Sequence, residues 1–135
     1  MRDTRSLLLH SDFPPVYRAP LDTLQVNLGY LCNLSCVHCH VNAGPQRTEQ
    51  MDLETVDTVL ALLDSNGVQT LDLTGGAPEL NPHFRYLVRS ARALGVRVMD
   101  RCNLTVLQEK GQESLADFLA EQQVDRPKGR GPADP

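Results

Sequence analysis

The chain has 135 residues, enough for one compact domain and too few for two. Its 13 Lys and Arg against 17 Asp and Glu give a net charge of −4, which argues against a nucleic-acid or anionic-membrane surface. The apolar stretch at residues 7–9 is too short for a signal-peptide core and no apolar run could span a bilayer, so a cytoplasmic protein is expected.

Residues 1–20 carry Pro14, Pro15 and Pro20 and form a lead-in segment, with a short helix expected over residues 6–10. In LQVNLG, Leu24, Val26 and Leu28 alternate with polar residues, which predicts a strand ending at Gly29. A long loop runs from 30 to 51, and Gly44-Pro45 breaks any helix there. Loops of this length in a compact domain are usually functional. DLETVDTVLALLDSNG reads as a helix with Val56, Val59, Leu60 and Leu63 on one face. Asp52 caps it and Asn66-Gly67 stops it.

A second strand follows over 69–74, ended by Gly75-Gly76. In NPHFRYLVRSARALG, Asn81 is the expected N-cap, with Pro82 at the first helical position. Phe84, Leu87, Val88 and Ala91 form its apolar stripe, and Gly95 ends it. His83 and Arg85 read as its exposed face. The third strand is predicted over 96–100 or 101, and a third helix over 112–122 with Leu115, Phe118 and Leu119 inward. The chain thus divides into a lead-in at 1–20, a core at 21–123 and a disordered tail at 124–135. The strand–helix alternation predicts an α/β fold with a parallel sheet and right-handed crossovers.

In such folds sites form at the C-terminal ends of the strands. The unusual residues obey that rule three times. Cys32, Cys36 and Cys39 follow the first strand, Gly75-Gly76-Ala77-Pro78-Glu79 the second, and Arg101, Cys102 and Asn103 the third. Three thiolates in the segment CNLSCVHC can hold three irons of a cubane and leave the fourth open for chemistry. A zinc site using His38 or His40 is the rival, but no second ligand pair exists in the chain. Each of the other residues also has a plainer role. Gly75-Gly76 is then a tight turn, Cys102 a packed side chain, His40 a loop residue, and Asp72 either a cavity residue or a partner to a neighbour.

The spacing C-x3-C-x2-C also matches the radical SAM signature. The stretches LQVNLGYLCNLSCVHCHVNAGPQRTE, LDLTGGAPELNPHFRYLV and DRCNLTVL together resemble the radical SAM proteins of arsenosugar biosynthesis, over residues 24–123. The resemblance implies a partial radical SAM (β/α) barrel of three parallel strand–helix units. It implies that Cys32, Cys36 and Cys39 ligate a [4Fe–4S] cluster whose open iron is chelated by S-adenosylmethionine. His38 would lie near the adenine, and Gly75, Gly76 and Glu79 would bind the methionine amino group, although Ala77-Pro78 separates the glycines from the acid. Asn103 would contact the ribose or carboxylate.

The implied chemistry is reductive cleavage to a 5′-deoxyadenosyl radical, with trivalent methylated arsenic as the small-molecule substrate and an electron donor as partner. A soft arsenic centre would suit the Cys102 thiolate. Family members are longer, and where a fourth strand is due the sequence runs Arg126-Pro127-Lys128-Gly129-Arg130. A truncated core lacking its C-terminal half is therefore expected. A non-catalytic zinc module and an inactive fragment stay open as alternatives.

Overall fold

A computed structural model describes Asp12, Pro14 and residues 16–126. The helix expected at 6–10 and most of the expected tail lie outside the described residues. Three strands, β1 (Thr23–Asn27), β2 (Thr70–Thr74) and β3 (Arg97–Asp100), form one parallel sheet in the order β1-β2-β3. Between them run α1 (Leu53–Asn66) and α2 (Phe84–Ala93), and α3 (Leu115–Glu121) follows β3. These are the three parallel strand–helix units of a partial (β/α) barrel. Among the described residues no helix is long and apolar enough to cross a membrane.

Register separates the two faces of the sheet. Val26 pairs with Leu73, Leu71 with Val98, and Leu73 with Asp100. Paired residues on parallel strands share a face. The Val26, Leu71, Leu73 and Val98 side packs into one buried cluster with Val56 and Leu63 of α1, Phe84, Leu87 and Val88 of α2, and Leu115 and Phe118 of α3. The expected stripe of α2 is fully buried, with Phe84, Leu87, Val88 and Ala91 all at 0% exposure. Gln25, Asp72 and Met99 share the opposite face.

The caps follow the sequence at α1. Asp52 accepts the Thr55 backbone N–H at 2.9 Å, and Gly67 takes the left-handed conformation (φ +62°) that ends the helix. At α2 the start is later than expected. Pro82 and His83 form a turn, and the helix begins at Phe84. Asn81 is diverted because its amide donates to the carbonyls of Leu28 and Met51, each at 2.9 Å, while its Oδ1 accepts the His83 N–H at 2.8 Å. The third helix is also shorter than expected, since a 3-10 turn at Leu104–Gln108 and further turns take up the chain before Leu115.

The first described residues of the expected tail run beside β3. Asp125 forms a parallel bridge to Met99, its N–H donating to Val98 O and its carbonyl accepting from Asp100 N, both at 2.8 Å.

Candidate functional site

The loop after β1 is held by backbone hydrogen bonds rather than by helix or strand. Met51 N donates to Leu28 O, Tyr30 N to Glu49 O, Gly44 N to Tyr30 O, and Cys32 N to Gly44 O. The turn after β2 lies directly against this loop. Gly76 N donates to Gly29 O and Ala77 N to Leu31 O, both at 2.9 Å. The two glycines make that approach possible. Gly75 has φ +137°, and a Cβ there would stand 2.5 Å from Gly29 O. A Cβ on Gly76 would fall onto the Leu31 carbonyl and 3.0 Å from the Cβ of Ala43.

A cavity of about 360 Å³ opens between the loop and the turn. Cys32, Cys36, Cys39, His38, Gly75, Gly76 and Asn103 all line it. The three thiols are free, with Cys32 buried, Cys39 half-buried and Cys36 exposed. Two sulfurs face N–H donors. Ala43 N donates to Cys39 Sγ at 3.2 Å, and Asn103 Nδ2 to Cys32 Sγ at 3.8 Å. The Ala43 hydrogen bond, then that of Val41, holds the Cys39 thiol below its ordinary pKa. Thiols on one wall with N–H groups aimed at sulfur have the donor chemistry of a thiolate-held metal cluster.

Glu79 is placed elsewhere. It does not line this cavity but is buried beside Asp100 and Cys102, with one donor atom of each within 4.8 Å of the others. Asp100 shares the helix-covered face of the sheet with Leu73. Burial, then the charge of Glu79, pushes the Asp100 carboxyl up to about 8. Burial, then the hydrogen bond to Glu79, also raises the Cys102 thiol above its ordinary pKa. The acid pair was not legible in the sequence. Its only signal was the strand parity that sets Asp100 in line with Val98.

Asp72 is paired rather than free. Arg101 Nη2 lies 2.7 Å from its carboxylate, and Gln25 donates to it at 2.8 Å. The Arg101 hydrogen bond holds the Asp72 carboxyl below its ordinary pKa.

A GTP 3′,8-cyclase of Chlorobaculum tepidum is 36% identical over 73 residues, covering 54% of this chain and 22% of that protein. A probable GTP 3′,8-cyclase of Metallosphaera sedula is 33% identical over 82 residues, covering 60% of this chain and 26% of that protein. The chain thus spans about a quarter of the length of these curated relatives. The crystal structure of Streptococcus suis SuiB bound to S-adenosylmethionine matches with a TM-score of 0.59 at 17% identity, covering 76% of this chain and 23% of that one. At that identity the likeness is one of fold. Residues 26–128 match the family described as the Radical SAM superfamily. The chain belongs to the radical SAM superfamily, whose members use a [4Fe–4S] cluster and S-adenosylmethionine.

Proposed function

We propose that Cys32, Cys36 and Cys39 hold a [4Fe–4S] cluster and that S-adenosylmethionine binds between it and the Gly75-Gly76 turn, with His38 at the rim. The observation that carries this reading is that all of these residues line the same cavity. When bound, the cluster supplies the electron for reductive cleavage of S-adenosylmethionine, and an external donor replenishes it. The chain's own part is to aim N–H groups at the sulfurs and to pack the glycine turn against the cysteine loop, beside the space the cofactor would take. Glu79 is left out of the proposed site because its carboxylate is buried beside Asp100.

For the substrate, the resemblance of the three quoted stretches supports trivalent methylated arsenic and a step toward arsenosugars. The likeness to GTP 3′,8-cyclases favours a nucleotide as the second reading.

Anaerobic reconstitution with iron and sulfide tests the site. About four irons per chain are expected. Replacing Cys32, Cys36 or Cys39 by Ala should lose the brown colour, while Cys102→Ala should keep it. Stoichiometric zinc in a colourless folded protein would sink the reading in favour of a zinc module. Loaded protein given dithionite and S-adenosylmethionine should then release 5′-deoxyadenosine. Adding methylated arsenic or GTP separates the two substrates by which product carries the new bond.

A further inference from the structure

We infer that Asn103 is a positioning residue that pins Cys32 and raises the reduction potential of the cluster through an N–H···S hydrogen bond. The inference rests on the cluster site proposed above.

The amide of Asn103 has a fixed orientation. Its Oδ1 accepts the Thr105 backbone N–H at 3.2 Å and the Thr105 hydroxyl at 2.9 Å. A backbone N–H can only donate, so the oxygen must face Thr105 and the NH₂ group must face the other way. That group donates to Asn33 Oδ1 at 2.9 Å and to Cys32 Sγ at 3.8 Å. Asn33 in turn donates to Thr105 Oγ1 at 2.9 Å and to Glu109 at 3.0 Å. The network ties the cysteine loop to the 3-10 turn after β3.

The amide nitrogen of Asn103 therefore faces Asn33 and the sulfur. The sequence resemblance sets this residue at the ribose or carboxylate instead. Cys32 is 6% exposed, so water screens this hydrogen bond little. A donor at the sulfur withdraws negative charge from it. That favours the reduced cluster, which carries the extra electron, and so raises the potential.

The test uses the anaerobically reconstituted full chain, without S-adenosylmethionine, in an EPR-monitored redox titration. Asn103→Leu keeps the size and removes the donor. Asn103→Ser keeps a cap for the Thr105 N–H but is too short to reach the sulfur. Both variants should keep about four irons and shift to a lower midpoint potential, with the affinity for S-adenosylmethionine changed less than about two-fold. If Asn103→Leu fails to fold, Asn103→Ser decides alone. An unchanged potential overturns the inference. An unchanged potential with weakened S-adenosylmethionine binding would make Asn103 a cofactor contact instead. If the unaltered chain takes up no iron, the cluster reading itself has failed and the inference falls with it.

Discussion

The carbonyl of Leu31 occupies the space where a side chain on Gly76 would begin. The glycine turn and the cysteine loop are therefore one packed unit. Gly76→Val should displace the loop and lose iron uptake together with cofactor binding, and Gly76→Ala should do so in part. Iron content after reconstitution checks this. A valine variant with full iron and weakened cofactor binding would show that the turn acts on the cofactor alone.

Asn81 joins three segments through hydrogen bonds to Leu28 O, Met51 O and His83 N. Asn81→Ala strands the Met51 carbonyl and the His83 N–H, while Leu28 O keeps the Met51 N–H, and should cost about 1–3 kcal/mol. Asn81→Asp keeps the acceptor for His83 and should remain impaired at the two carbonyls. Urea midpoints measure both. A loss below about 0.5 kcal/mol would mean that water replaces the amide without penalty.

Asp72 is buried while Arg101 is half exposed, with side-chain exposures of 5% and 49%. Arg101→Met strands the carboxylate and should cost about 1–3 kcal/mol at pH 7, reduced from a fully buried pair by the exposure of the arginine. The folded Asp72 pKa lies below its ordinary 3.8, so the stabilisation is present above that value and is lost as pH falls through the folded one. Thermal melts carried from pH 7 down to about pH 2 should show this loss below about pH 4 in the unaltered chain and not in the variant.

Asp100 has the opposite sign. Its folded pKa of about 8 exceeds the ordinary 3.8, so its contribution is complete below 3.8 and is lost as pH rises toward 8. Asp100→Asn keeps the size of the side chain and carries no charge. The variant should be more stable than the unaltered chain at pH 9, by about 1–3 kcal/mol, and the difference should shrink at pH 5. Equal melting curves at pH 9 would refute the buried-charge account.

The order of elements was legible because the apolar periods of 2 and 3.6 are strong in this chain, as at Leu24-Val26-Leu28 and at Phe84-Leu87-Val88-Ala91. The cavity residues were legible because they follow strand ends. The resemblance sets Glu79 at the methionine amino group while the fold buries its carboxylate beside Asp100, since sequence alone does not say which side of the sheet a 3-10 turn will choose. The Asn103 network is not legible in the sequence because Asn33 and Asn103 are 70 positions apart. The late start of α2 was hidden for a similar reason, since Asn81 is claimed by carbonyls distant in sequence.

The hydrogen bonds of the cysteine loop form nested rings. Leu28–Met51 and Tyr30–Glu49 close an outer ring, and Cys32–Gly44 closes an inner one that contains all three thiols. Arg47 braces the two through Glu49 and the Asn42 carbonyl. Closing a loop costs entropy that grows with its length, and here most of that ordering is already done by the outer ring. Metal uptake then has only the inner segment left to arrange. Amide exchange should therefore be two-tiered within one loop, slow at the outer closure and fast between the thiols, with the fast tier alone responding to iron.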